Sequence, residues 1–247
     1  MIHAMTGTQA MPARRAVKSG TGEQHWRTDF LGQRSDGQIK DTQPQAFLIE
    51  MSANEVIVPH FHEVDQFQVF VAGGGGLGRN NDIANPITVH YADEYTGYGP
   101  INAGPNGYSY FTLRARSDSG AVYLHQPGYR EKLKPSKKRH FAVNVTLSTE
   151  PVLMTRAAVA LEPLVGQDGD GPCAFILRAG AGMAATGPDP KDTGGQYYLV
   201  ANGALEREGQ SYPVWSTIFV DAGEAPLAVQ AGPKGLETLI LQFARPE

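Results

Sequence analysis

The sequence contains little cysteine and little charge, and it lacks long apolar runs. Cys173 is the only cysteine, which excludes an intrachain disulfide and a thiolate-rich metal site. Charged residues make up 19% of the chain and the net charge is −4, so we expect no broad basic surface of the kind that binds nucleic acid. No segment approaches the ~20 apolar residues of a membrane span, and none forms the core of a signal peptide. We therefore expect a cytoplasmic protein without nucleic-acid or membrane partners.

Glycine and proline are abundant, with 29 and 17 residues, and they separate short apolar or alternating runs. Runs such as 46–51, 55–58 and 66–71 have the length and alternation of β-strands, and the intervening Ser, Asn, Gly and Pro favour turns. This pattern predicts an all-β protein.

An internal repeat divides the chain into two halves. The segment 46–49 (AFLI) recurs at 174–177 (AFIL), 66–73 (QFQVFVAG) recurs at 196–203 (QYYLVANG), and 103–107 (AGPNG) recurs at 231–235 (AGPKG). Three matches in the same order at a nearly constant offset predict two copies of one β-rich unit. Closed barrels suit such units, because closure removes the exposed edges of short strands.

The repeat and the composition together predict the domain organisation. Residues 1–24 lack periodicity and are expected to form a flexible arm, followed by an N-terminal barrel over 25–130. The basic, proline-containing segment within 131–145 is expected to be a linker, and 146–247 to be a C-terminal barrel. Because residues 141–247 contain no histidine, the second barrel is expected to be a degenerate copy that packs or mediates dimerisation.

The N-terminal half contains a candidate metal site at Pro59-His60-Phe61-His62, followed by Gln66 on the next predicted strand. Two histidines at i and i+2 on a strand point to the same face, so both imidazoles can converge on one ion. Neutral imidazole nitrogens suit Fe, Zn, Mn, Ni or Cu, and Gln66 could add a carbonyl oxygen. The alternative is that His60 and His62 face solvent at a barrel rim.

These residues resemble the first motif of the cupin superfamily, in which His-x-His is followed by three or four residues, Glu, six residues and Gly. His60, His62, Gln66 and Gly73 match that spacing, although Gln66 stands where Glu is usual. The resemblance implies two tandem cupin barrels of the jelly-roll, double-stranded β-helix type. In the region that corresponds to the family's second motif, Tyr98 falls about where a third histidine is expected.

The remaining metal ligand stays open at this point. His90 lies on a predicted strand and is our first choice for the third ligand, whereas Tyr98 is either a phenolate ligand or an acid/base group. A structural role for His90 is the third possibility. Arg114 could pair with a substrate carboxylate, but a surface ion pair is the favoured interpretation.

The resemblance implies a metal-dependent enzyme, and we expect an oxidoreductase of the dioxygenase type that acts on a small organic molecule as a homodimer. One alternative is a non-catalytic, small-molecule-binding or regulatory cupin with a decayed site. Another is a cupin isomerase or lyase that uses Tyr98 as the base. The metal would be a divalent transition ion in the first case.

Overall fold

The computed structural model describes residues 1–19, 22–32, 43–83, 85–134, 139–166 and 171–245. Strands dominate this part of the chain. Its short helical segments are α1 (Gly7–Ala10), α2 (Glu150–Met154) and the 3-10 turns Met11–Ala13 and Arg130–Lys132. The strands are β1 (Ile2–Met5), β2 (Arg15–Lys18), β3 (Gln24–Leu31), β4 (Gln45–Met51), β5 (Val56–Ile57), β6 (His60–Phe61), β7 (Gln66–Leu77), β8 (Asp82–Ile83), β9 (Thr88–Ala92), β10 (Ile101–Arg114), β11 (Val122–Tyr123), β12 (His140–Asn144), β13 (Ala160–Val165), β14 (Cys173–Ala179), β15 (Ala184–Thr186), β16 (Gln196–Arg207), β17 (Gln210–Pro213), β18 (Thr217–Val220) and β19 (Ala228–Gln242).

The chain divides into two compact units, Met11–Val145 and a second unit made of Thr146–Glu247 with Met1–Ala10. In the described residues of the first unit, the main sheet follows the order β12-β9-β7-β10-β4-β3-β2. In those of the second unit, the order is β1-β18-β16-β19-β14-β13. The two orders correspond position by position: β12 of the first sheet corresponds to β1 of the second, and β3 of the first corresponds to β13 of the second. The predicted all-β fold with two copies of one barrel is therefore confirmed.

The repeat places equivalent residues at equivalent points. Gln66 and Gln196 each begin a strand of twelve residues, and Gly73 and Gly203 are each the eighth residue of that strand. Both glycines have a positive φ, and a Cβ at Gly73 would lie 2.2 Å from the carbonyl oxygen of Gly107. Only glycine fits such a close backbone approach, which explains why this residue recurs in both halves.

The structure differs from the arm and the linker that the sequence predicts. Strand β1 lies within the predicted arm but pairs with β18 of the second unit, and β12 lies within the predicted linker but pairs with β9 of the first unit. Strand β1 thus precedes the first barrel in sequence but belongs to the second, and β12 precedes the second barrel but belongs to the first. Short segments without periodicity can still order when they complete the edge of a sheet, because that edge offers unpaired backbone groups. Residues 135–138 of the predicted linker lie outside the described residues.

The interiors of the two units are filled differently. In the second unit the core consists of apolar and aromatic side chains, such as Phe175, Tyr198, Ile218 and Ile240, with Ile2 and Ala4 of β1 packed against them. In the first unit, a smaller apolar cluster around Phe70 and Tyr108 lies beside buried polar side chains. Among the described residues, the second barrel therefore has the larger apolar cluster, and only the first barrel buries histidine and arginine side chains.

The position of β1 generates a prediction about stability. Ala4→Asp should destabilise the second unit by about 1–3 kcal/mol, because it places a carboxylate against the apolar core beside Ile218. Ala16→Asp on the exposed strand β2 is the matched control and should change stability little. Urea unfolding with hydrogen exchange at residues 217–220 measures both effects. Equal effects of the two substitutions would contradict the role of β1 in the second barrel.

Candidate functional site

The candidate site is built on the central strands of the first barrel. Side chains alternate between the two faces of a strand, so Gln66, Gln68 and Phe70 of β7 share one face. Phe70 belongs to the interior cluster, which places Gln66 and Gln68 on the inner side. By the same alternation on β10, Tyr110 belongs to the interior cluster and Arg114 shares its face.

The structure brings His60, His62, Gln66 and Tyr98 together inside the first barrel, and all four are buried. The His60 and His62 rings lie 5.2 Å apart between centroids, and His60 Nε2 is 2.8 Å from the hydroxyl of Tyr98. The side-chain amide of Gln66 donates a hydrogen bond to the same hydroxyl. The alternative in which the two histidines face solvent at a barrel rim is therefore not what the structure has.

The Nδ1 atoms of both histidines face acceptors. His60 Nδ1 lies 2.8 Å from the carbonyl oxygen of Val58, and His62 Nδ1 lies 2.7 Å from Oδ2 of Asp118. These acceptors assign the proton to Nδ1 in each ring and leave Nε2 with its lone pair. Metal-binding histidines have this arrangement, in which a carboxylate or carbonyl fixes the tautomer and the orientation of the ring.

Burial keeps both imidazoles neutral at pH 7. It lowers the pKa of His60 to about 3, with a further contribution from neighbouring His62. It lowers the pKa of His62 to about 4, where the positive charge of Arg114 adds to the effect and Asp118 opposes it. Neutral imidazole is the form that binds a metal ion, so the site is ready for a metal without first losing protons.

Arg114 contributes a buried positive charge that the sequence did not predict. The residue is 3% exposed rather than at the surface, and Nη2 donates to Oε1 of Gln66 over 2.9 Å. Nη2 also lies 3.0 and 3.2 Å from the two ring nitrogens of His62, which places the guanidinium over the ring rather than along one lone pair. The sequence pattern that could have predicted this burial is the alternation of Tyr110, Thr112 and Arg114, which places Arg114 on the same strand face as a buried aromatic residue.

Asp118 balances the charge of Arg114, at 3.2 Å from Nη1. Burial alone would raise the pKa of this carboxyl group, but the hydrogen bond with His62 and the charge of Arg114 outweigh burial and lower it to about 2. Asp118 is thus ionised at neutral pH. It connects His62 to Arg114, and sequence analysis gave no signal for it because the loop after β10 carries no recognisable pattern.

His90 is buried, but it does not join His60 and His62 in one group. Its ring lies 5.2 Å from that of Tyr98, and the ring of Tyr98 lies 4.6 Å from that of His60. Among the described residues, no group of three or more His, Cys, Asp or Glu side chains is arranged to hold a metal ion. The donors near the His60 and His62 pair are instead Gln66 and Tyr98, the two residues that the cupin motifs indicated.

Comparison with solved structures identifies the fold. The chain is similar to the bacterial pirin YhhW from Escherichia coli in complex with nickel(II), with a TM-score of 0.58, 9% identity and 100% of both chains covered. It is also similar to oxalate decarboxylase OxdC from Bacillus subtilis, with a TM-score of 0.57, 10% identity, and coverage of 99% of this chain and 78% of the other. For quercetin 2,3-dioxygenase from Acinetobacter baumannii the TM-score is 0.52 at 12% identity, with coverage of 99% and 79%.

These likenesses confirm the cupin fold with two barrels that the motif spacing implied. No protein-family model matches the sequence, and no curated protein sequence matches it. In the described residues, no helix is long and apolar enough to cross a membrane.

The buried neutral histidines predict how stability changes with pH. Their pKa values in the folded state are lower than in the unfolded chain, so protons bind preferentially to the unfolded state below pH 6.5. The free energy of unfolding of the metal-free protein should fall as pH decreases from 6.5 towards 4, by about 1.4 kcal/mol per pH unit for each histidine. Urea unfolding at several pH values measures this slope. His60→Gln should reduce the slope, and an unchanged slope would contradict the assignment.

Proposed function

We propose that the first barrel binds a divalent transition metal through His60 and His62, with Gln66 and Tyr98 beside them, and that it is a metal-dependent oxidoreductase of the dioxygenase type acting on a small organic molecule. The observation that carries this proposal is the pair of neutral imidazoles whose Nδ1 atoms are held by acceptors, so that the Nε2 lone pairs can bind a metal, that of His60 in place of its hydrogen bond from Tyr98. The nickel(II) complex of YhhW and the Mn(II) centres of OxdC support a metal in this fold.

The residues fit such an ion in the chemistry of their donor atoms. Imidazole nitrogens suit Fe, Zn, Mn, Ni and Cu, and a phenol or amide oxygen can complete the set. Gln66 presently directs its oxygen to Arg114 and its nitrogen to Tyr98, so its oxygen can face an ion only after the amide turns over. When bound, the ion would supply Lewis acidity towards a substrate oxygen.

Tyr98 is placed to donate a proton rather than to accept one. Burial raises the pKa of its phenol well above the usual value, and the nearby charge of Arg114 only partly opposes this. The hydroxyl accepts from Gln66 and donates to His60 Nε2, so it carries its proton at neutral pH. A role as general acid therefore fits the site better than the role of base that an isomerase or lyase would require.

Arg114 favours a second candidate function. Its guanidinium already contacts His62 and Gln66, and a fixed positive charge at that point opposes the binding of a metal cation. In this case the barrel is a metal-free site for an organic ligand, as in a regulatory or non-catalytic cupin. Metal content separates the two candidates.

The proposal predicts about one tightly held metal ion per chain in the purified protein. Two variants test whether that ion is bound at the proposed site. His62→Ala should remove that ion, because it deletes one of two imidazole ligands, whereas His125→Ala, at an exposed histidine, should retain it. Inductively coupled plasma mass spectrometry after gel filtration measures the content. Metal-free wild-type protein that still binds an organic ligand would support the second candidate instead.

The proposed role of Tyr98 predicts a separation of metal content from turnover. Tyr98→Phe should leave the tightly held ion in place and reduce turnover by roughly 10²–10⁴-fold, the usual contribution of general acid or base catalysis. A panel of small aromatic and enolic substrates with oxygen-consumption detection supplies the assay. Loss of the metal in Tyr98→Phe would show that the phenol is a ligand.

A further inference from the structure

His90 has a buried nitrogen that the proposed function does not use. The residue is 0% exposed, and its Nε2 has no hydrogen-bond partner. Its Nδ1 lies 2.8 Å from Oε1 of Gln68, an acceptor that assigns the proton to Nδ1 and leaves Nε2 as an unpaired lone pair. A buried polar atom without a partner costs about 1–3 kcal/mol, so its retention calls for a reason.

A second histidine lies next to His90 on the neighbouring strand. The ring of His140 on β12 is 4.7 Å from that of His90, with the two planes at 71°. The ring contacts Gln68 on β7 through Nδ1, and β12, which carries His140, pairs with the other edge of β9. His140 itself is exposed whereas Nε2 of His90 is buried, so an ion would reach the pair from the side of His140.

The second barrel shows that the fold does not need histidine at either position. His90 pairs with Gln68 and Ala142, and the equivalent Ile218 pairs with Tyr198 and Ala4. His140 pairs with Ala92, as Ile2 pairs with Val220. The polar set Gln68, His90 and His140 thus stands where the other copy has Tyr198, Ile218 and Ile2, of which Ile218 lies in the apolar core and Ile2 packs against it.

We propose that His90 and His140 form a second site for a borderline divalent ion such as Ni²⁺, Cu²⁺ or Zn²⁺, separate from the pair His60 and His62 and reached through the exposed side chain of His140. The hydrogen bond from His90 to Gln68 orients the ring as an outer-shell acceptor orients a metal-binding histidine. Imidazole is the ligand that these ions prefer among uncharged side chains, and water completes the coordination. With two protein ligands, the ion exchanges with solvent and is absent from the tightly held fraction.

Equilibrium dialysis with Ni²⁺ tests this site in the background His60→Ala/His62→Ala, where the first site has lost its imidazoles. This protein should bind about one Ni²⁺ ion per chain. Adding His140→Ala should abolish that binding, and adding His125→Ala should leave it unchanged. His140 and His125 are both exposed, so neither substitution threatens folding. His90→Ile places at the buried position the residue that the second barrel carries, and it should abolish binding as well.

Two outcomes would overturn the second site. The first is an absence of Ni²⁺ binding in the His60→Ala/His62→Ala background, provided that circular dichroism shows the native fold. The second is that His90→Ile in the otherwise unchanged chain removes the tightly held ion while His140→Ala does not alter Ni²⁺ binding, because His90 would then belong with His60 and His62. The proposed function fails separately, when the wild-type protein holds no tight metal ion.

Discussion

The pairing of β7 with β10 determines which side chains meet inside the first barrel. Its register joins Gly73 to Tyr108 and Phe67 to Leu113, and the close approach of backbone at Gly73 leaves no room for another residue. A slip of β7 by one residue would turn Gln66 to the outer face while Arg114 on β10 stayed inside, because side chains alternate along a strand. The contacts of Gln66 with Tyr98 and Arg114 therefore depend on a backbone constraint at the far end of the same strands.

The two halves of the chain act as an internal control for the site. They share strand order, register, the glycine at the close approach and a buried glutamine at the start of the same strand, and both bury phenols, yet among the described residues only the first half buries imidazole and guanidinium groups. Buried polar groups cost free energy unless they are paired, so the fold alone does not account for them. Positions where the first half is polar and the second apolar are consequently those most closely tied to function.

The fold and part of the site could be predicted from the sequence because both are encoded in local patterns. The repeated Gln and Gly positions gave the two barrels, and the His-x-His spacing with Tyr98 gave four residues that the structure brings together. Strands β1 and β12 were missed, since their order comes from pairing with distant strands rather than from their own periodicity. Arg114 was missed for a related reason, because its burial depends on Asp118 and Gln66.

The charge balance of the first barrel explains why an amide at position 66 is compatible with its neighbours. Arg114 and Asp118 neutralise each other, and the histidines and Tyr98 are uncharged at neutral pH. A carboxylate at 66 would lie within hydrogen-bond distance of the guanidinium and compete with Asp118 for it. With Gln66 the site is neutral, so a divalent ion would add two positive charges that no buried carboxylate offsets. On the proposed function, metal binding and the binding of an anionic substrate oxygen are therefore coupled, each strengthening the other.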